Sequence, residues 1–67
     1  SNYAEPHNNL GNYFKEIGQL NSAINSYKQS IRLNPKFAEA HFNLSLAQLL
    51  IGAIDQIDKN FSLYRNS

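Results

Sequence analysis

The sequence predicts an all-α fold built from two helical hairpins, that is, four antiparallel helices. Three observations predict it. Residues 4–18 recur 34 positions later as residues 38–52 with seven identical pairs, and a fixed period of this length is typical of stacked helical repeats. Apolar residues recur at helical spacing within each copy. Each copy ends in a glycine, Gly18 or Gly52, and Pro35 closes the first repeat.

The first hairpin is predicted from its start and stop signals. Helix one should run from about Glu5 to Ile17, with Pro6 in the first turn, where its missing N–H is not needed. Gly18 should then adopt the left-handed conformation that ends many helices. Helix two should run from about Asn21, acting as N-cap, to Asn34, because Pro35 disfavours helical geometry in the residue before it. The predicted buried stripe of helix two is Ala23, Ile24, Tyr27, Ile31 and Leu33.

The second hairpin is predicted from the repeated copy. Helix three should span about Lys36 to Ile51 and end at Gly52, and helix four should run from about Ala53 to Arg65. Helix three is apolar on more than one face, so we expect it to have neighbours on several sides. One face of helix four carries Ile54, Ile57, Phe61 and Tyr64.

This pattern resembles the tetratricopeptide repeat (TPR), a 34-residue helical hairpin. The positions that match the family's pattern are Leu10, Gly11, Phe14, Ala23, Tyr27, Ser30 and Pro35. The resemblance implies an α-solenoid fragment, with one repeat over about residues 4–37 and a degenerate second repeat over about 38–67. In the second copy Ser45, Gln48 and Ile57 replace the glycine, the aromatic and the small residue. Among TPR proteins, the openings AEPHNNLGN and AEAHFNLS are most similar to arrays of the O-GlcNAc-transferase type and their bacterial relatives.

Length and composition exclude several classes of function. The 67 residues are enough for one small domain, and the absence of cysteine excludes a disulfide or a thiolate zinc site. A net charge of +1 favours neither nucleic acid nor an anionic membrane as partner. No signal peptide is visible, and the longest apolar run, residues 49–51, is too short to span a bilayer. We therefore expect a cytoplasmic protein.

No residue pattern points to catalysis or metal binding. The chain has no nucleophile elbow, phosphate loop or zinc-protease helix. Glu5 and Glu39 fall in first helical turns, where the helix dipole favours a carboxylate. His7 and His41 share one repeat position on stacked helices, and helix axes about 8–10 Å apart do not bring two such side chains onto one ion. We predict a chain with no enzymatic activity, no cofactor and no metal.

One candidate site is a peptide-binding face. The resemblance places Asn9 and Asn43 on the concave side of the superhelix, where asparagines of O-GlcNAc-transferase-type arrays hold a peptide backbone. An amide side chain suits that task because it both donates and accepts hydrogen bonds, although this asparagine is also common in TPRs generally. Asn12 and Asn43 match positions of the carboxylate-clamp TPRs, but the clamp's first lysine falls on the neutral Asn8. The full set of peptide-binding residues is Asn8, Asn9, Asn12, Phe42, Asn43 and Leu46.

The other candidate site is a surface for self-association, because exposed contiguous apolar area marks an interface. Its residues are Leu46, Leu49, Leu50, Ile57, Phe61 and Tyr64. Three functions stay open at this point. The chain is a module of a longer array that binds a protein or an extended peptide, a unit that forms homodimers through helices three and four, or the TPR arm of a larger glycosyltransferase-like enzyme.

Overall fold

The computed structural model describes residues 3–66, and all the secondary structure in this part of the chain is helical. The helices are α1 (Ala4–Glu16), α2 (Leu20–Leu33) and α3 (Ala38–Asn66). α1 and α2 form a hairpin, and the first half of α3 packs against α2. The second half of α3 extends beyond the hairpin. The prediction of an all-α fold is therefore confirmed.

The turn between α1 and α2 depends on Gly18. Its φ is +81°, and it is the only positive φ in the part of the chain that the structure describes, so the predicted left-handed glycine is confirmed. The turn is closed by two backbone bonds: Gly18 N–H donates to the Lys15 carbonyl (3.1 Å) and Gln19 N–H to that of Phe14 (2.8 Å). The prediction of Asn21 as N-cap is wrong. Gln19 holds that position without a side-chain capping bond, and Asn21 lies within the first turn of α2.

The link between α2 and α3 begins at Asn34, whose extended backbone (φ −144°, ψ 92°) confirms the restriction expected before Pro35. The Asn34 side-chain oxygen accepts a hydrogen bond from the Lys36 N–H (3.2 Å). His41 Nε2 donates to the Pro35 carbonyl at 2.7 Å. These bonds turn the chain so that α3 returns along α2.

The core lies where α1, α2 and the first half of α3 meet. Ala23, Tyr27 and Ala47 are fully buried there, and Phe14, Ile24 and Leu44 pack around them. The Tyr27 ring lies against Gly11, where a Cβ atom would overlap the ring carbons, so glycine is required at this position. The predicted stripe of α2 is correct for Ala23 and Tyr27. It is wrong for Leu33, which is 40% exposed beside the closing turn.

The predicted break at Gly52 is wrong. α3 is one continuous helix of 29 residues, and Gly52 lies inside it. The described part of the chain therefore has three helices instead of four, and the residues predicted as a separate helix four form the second half of α3.

The reason for this difference is that the second copy lacks the packing that holds the first hairpin closed. Ser45 stands where Gly11 receives the Tyr27 ring, and Ile57 stands where Ala23 is fully buried. A chain that gains no such packing gains more from continuing the helix, since each added residue forms one backbone hydrogen bond. A glycine inside a helix costs only about 1 kcal/mol relative to alanine.

The long third helix gives the molecule an elongated shape. The principal extents of the molecule are 53 × 20 × 13 Å, and its radius of gyration is 14.5 Å. A compact domain of this length would have a radius of gyration of about 11 Å. The excess comes from the second half of α3, which has no other helix of the described chain beside it.

Candidate protein-interaction surfaces

One row of side chains runs along the whole of α3 with alternating spacings of three and four residues. We call this row the α3 seam; its members are Ala40, Asn43, Ala47, Leu50, Ile54, Ile57, Phe61 and Tyr64. This is the heptad spacing by which two helices pack side by side. The seam therefore marks the face of α3 that is suited to contact with another helix.

The first half of the seam is covered within the chain. Ala40 and Ala47 are fully buried, and Asn43 is buried except for 8% of its surface. Asn43 Nδ2 donates a hydrogen bond to Oδ1 of Asn8, which is itself 2% exposed, and the two atoms are 3.0 Å apart. The bond satisfies one buried amide with another and joins α1 to α3.

The second half of the seam is uncovered. Its large apolar side chains are exposed by 39% at Leu50, 48% at Ile54, 64% at Ile57, 57% at Phe61 and 79% at Tyr64. The Arg65 guanidinium lies 5.8 Å from the centre of the Phe61 ring, one helical turn away. The same face of one helix is thus a packed interface in its first half and an apolar surface in its second.

The residues predicted for self-association divide between two sides of α3. Leu50, Ile57, Phe61 and Tyr64 are on the seam. Leu46 is half-buried beside it, and Leu49 is 71% exposed on the far side of the helix. The predicted set omitted Ile54, which lies at the centre of the exposed half. The sequence places Ile54 on one helical face with Ile57, Phe61 and Tyr64, so that pattern already contained the missing member.

The residues predicted for peptide binding also lie in different environments. Asn8 and Asn43 bond to each other inside the fold, and Asn12 accepts a hydrogen bond from the Tyr27 hydroxyl at 2.6 Å. Asn9 is exposed. The two equivalent positions of the repeat, Asn9 and Asn43, are therefore not equivalent in the structure.

A short apolar line, Phe42 and Leu46, lies on the first half of α3, which the Asn8–Asn43 bond joins to the middle of α1, the helix that carries Asn9. Phe42 is 67% exposed, and Leu46, one turn further along α3, is half-buried. This line is separate from the seam, since Phe42 and Leu46 follow each other one turn apart on a neighbouring stripe of the helix.

Comparison with protein families matches residues 11–52 to the TPR repeat, which is more than half of the chain. The chain belongs to the TPR family. No curated protein and no solved structure matches it, so the finer resemblance to O-GlcNAc-transferase-type arrays has no relative in its support. The TPR match ends at Gly52. It begins within α1 and stops where α3 leaves the hairpin.

The TPR hairpin itself contains polar groups that serve the fold. Ser30 is fully buried and its hydroxyl donates to the Ala4 carbonyl (2.7 Å), which ties the end of α2 to the start of α1. Burial, followed by the negative charge of Glu16, raises the pKa of Tyr27 above its ordinary value of 10.0. The Tyr27 hydroxyl therefore keeps its proton and remains a donor to Asn12.

The two histidines of this TPR chain lie in different environments. His7 is half-buried in α1, whereas His41 is bonded to the Pro35 carbonyl. Across residues 3–66, no three histidine, aspartate or glutamate side chains are grouped so that they could hold a metal ion. Over the same range, no helix is both long enough and apolar enough to cross a bilayer.

Proposed function

We propose that this TPR chain is a non-catalytic protein–protein interaction unit, and that the exposed half of the α3 seam is its principal binding surface. The observation that carries the proposal is the contrast along the seam, which is buried up to Ala47 and exposed from Leu50 onward. TPR domains generally act as interaction modules without catalytic groups, which agrees with this reading.

Burial of the exposed half of the α3 seam would release a free energy that is large for so small a protein. Full burial of one Leu, Ile or Phe side chain is worth roughly 1.5–3 kcal/mol. The core of a domain of this size rarely supplies more than about 3–5 kcal/mol. Covering Leu50, Ile54, Ile57 and Phe61 would therefore change the free energy of the molecule by as much as its own folding does.

A second copy of the chain is the partner that this surface fits best, because a seam with heptad spacing is complementary to another seam of the same kind. The TPR chain would then be a homodimer formed through the part of α3 from Leu50 onward. Sedimentation equilibrium from low to high micromolar concentration tests this proposal. A matched control is available because Leu49 and Leu63 are 71% and 70% exposed on α3 but off the seam.

We expect the wild-type chain to dimerise, the variant Ile57→Glu with Phe61→Glu to be monomeric, and the variant Leu49→Glu with Leu63→Glu to dimerise like wild type. Both variants add two negative charges to the same helix, so they separate the seam from a general effect of charge. A wild-type chain that sediments as a monomer at every concentration would overturn the proposal, as would equal weakening by the two variants.

A second candidate function is binding of an extended peptide on the side of the stack that carries Asn9, Phe42 and Leu46. It is supported by the exposure of Asn9 and Phe42, while the amides of Asn8, Asn12 and Asn43 are already engaged in the fold. A pool of diverse peptides titrated into labelled protein should shift the amide NMR signals of residues near Phe42. Phe42→Ala with Asn9→Ala should abolish those shifts, whereas the off-face control Leu63→Ala should keep them. Shifts that survive the double change would contradict this candidate.

The remaining predictions concern the wider protein. The cytoplasmic location, the place in a longer array and the alternative role as an arm of a larger glycosyltransferase-like enzyme stay predictions of the sequence, because no contact among the described residues favours any of them.

A further inference from the structure

We propose that two copies of the chain pair through their α3 seams in antiparallel orientation, with Ile54 of each copy facing Ile57 of the other and Leu50 of each facing Phe61 of the other. The proposal rests on the self-association proposed above and adds its orientation and register. The interface would be isologous, so that each pair of facing residues occurs twice about a two-fold axis.

The register follows from the order of side chains along the exposed half of the seam. Four of its five large members, Leu50, Ile54, Ile57 and Phe61, are spaced by four, three and four residues, which is the same sequence of spacings read from either end. Tyr64, the fifth, lies beyond this row. When two such rows run in opposite directions, Leu50 meets Phe61 and Ile54 meets Ile57 without any gap. The four layers that result contain only apolar side chains.

The orientation follows from where the hairpin lies. α2 covers the seam of its own α3 as far as Ala47, where Ala23 and Ile24 pack. In a parallel pair, both hairpins would lie at the same end and each would occupy the side that the other copy's α3 must approach. In an antiparallel pair, the hairpins lie at opposite ends, and each exposed half is covered by the exposed half of the other copy.

The charges on the exposed half of α3 allow two identical copies to approach. Asp55 and Asp58 are balanced by Lys59 and Arg65, so this half carries no net charge. A surface with a strong charge of one sign would repel its own copy and would indicate a partner of opposite charge instead. The neutral, apolar and symmetrically spaced row from Leu50 to Phe61 indicates a second copy of the chain.

The experiment uses charge pairs that only the antiparallel register brings together. Ile54→Lys and Ile57→Glu are made as two separate full-length chains, with Leu63→Glu as the control for an added charge on the same helix. Each charged variant alone should raise the dimer dissociation constant at least about 100-fold, because the charge enters two apolar layers of the dimer. Mixing the two variants places the introduced lysine of one chain opposite the introduced glutamate of the other and leaves the remaining Ile57–Ile54 layer apolar.

The mixture should recover at least about tenfold of the lost affinity as a one-to-one heterodimer, measured by sedimentation with one chain labelled. The Leu63→Glu chain should dimerise like wild type. Circular dichroism of each variant should show an intact hairpin, since Ile54 and Ile57 are exposed in the single chain.

The outcomes distinguish the register from the self-association on which it rests. A wild-type dimer whose two charged variants do not recover on mixing would overturn the antiparallel register and leave self-association standing, because a parallel pair places position 54 opposite 54 and 57 opposite 57. A wild-type dimer unaffected by either charge would overturn the seam as the interface. A wild-type chain that is always monomeric would overturn both proposals.

Discussion

At the scale of single residues, the hydrogen bond between Asn8 and Asn43 shows how this small stack uses polar side chains inside the fold. Both amides are almost fully buried, and Asn43 Nδ2 lies 3.0 Å from Asn8 Oδ1. A buried polar group that loses its partner costs far more than the bond contributes when it is made. Removing one asparagine therefore destabilises the fold mainly because the other amide stays buried without a partner.

Asn8→Ala should lower the free energy of unfolding by about 1–3 kcal/mol, because the buried Asn43 amide loses its acceptor. Asn8→Ala combined with Asn43→Ala should cost clearly less than the sum of the two single changes. Urea denaturation of the three variants measures this coupling, and the exposed Asn9→Ala serves as control, with an effect within about 0.5 kcal/mol. Strictly additive losses would show that the two amides do not depend on each other.

Tyr27 gives the fold a dependence on pH. Burial and the charge of Glu16 raise the pKa of Tyr27 above 10.0 in the folded state, whereas the unfolded chain has the ordinary value. Above pH 10 the unfolded chain releases this proton while the folded chain retains it, so the free energy of unfolding should fall as the pH rises.

Urea midpoints measured on either side of pH 10 test this expectation. Tyr27→Phe should lose part of the decline with pH, although at neutral pH it should be less stable by about 1 kcal/mol because the bond to Asn12 is gone. The same decline in both proteins would assign the effect to other groups.

At the scale of the elements, the two copies of the repeat behave differently because four of five packing positions differ in size or polarity. In the hairpin, Gly11 and Phe14 of α1 meet Ala23 and Tyr27 of α2, and Ser30 is fully buried. The corresponding residues in the second copy are Ser45, Gln48, Ile57, Phe61 and Tyr64. The second copy has larger side chains where the hairpin has small residues, and it has a polar side chain where the hairpin has an aromatic ring.

Restoring the first copy's residues should therefore restore the second hairpin. A variant with Ser45→Gly, Gln48→Phe, Ile57→Ala and Tyr64→Ser should bend at Gly52 and give a fourth helix that packs on the first half of α3. NMR should then show a positive φ at Gly52 and contacts between residues 45 and 61.

A fifth change provides the control for this prediction. Adding Gly52→Val should return the chain to a continuous α3, because a β-branched residue does not readily adopt a positive φ. A quadruple variant whose α3 stays straight would show that these four positions do not decide the break.

At the scale of the whole molecule, the second half of α3 has no tertiary support from the other described helices. The radius of gyration of 14.5 Å reflects this extension. An isolated helix shorter than about 12–15 residues is marginal in water, so residues beyond Gly52 depend on the packed half of α3 and on association for their helical order.

The helical content of the wild-type chain should therefore rise with concentration as dimers form. Circular dichroism over the same range as the sedimentation experiment measures the change, and hydrogen exchange should show protection spreading past Gly52 in the dimer. The variant Ile57→Glu with Phe61→Glu should lack this dependence. Helical content that is independent of concentration in wild type, while dimers form, would contradict the prediction.

The sequence by itself determined the local features of this protein. Pro35 was identified as the end of the second helix because proline restricts the backbone of the residue before it wherever it occurs. Gly18 was identified as the end of the first helix because glycine adopts a positive φ at no steric cost. The 34-residue period indicated the TPR family because it is written in residue types and spacings. Ala23 and Tyr27 were identified as core residues for the same reason.

Only the tertiary structure decided what Gly52 does and which asparagines are available. A glycine permits a left-handed turn but does not require one, so its conformation depends on whether the segments on both sides gain contacts by turning back. Asn9 and Asn43 have the same place in the repeat, yet only Asn43 has a neighbouring helix to bury it, and that helix supplies Asn8 as its partner. Repetition in sequence specifies similar surfaces, but burial depends on which surfaces meet, and that is a property of the assembled helices.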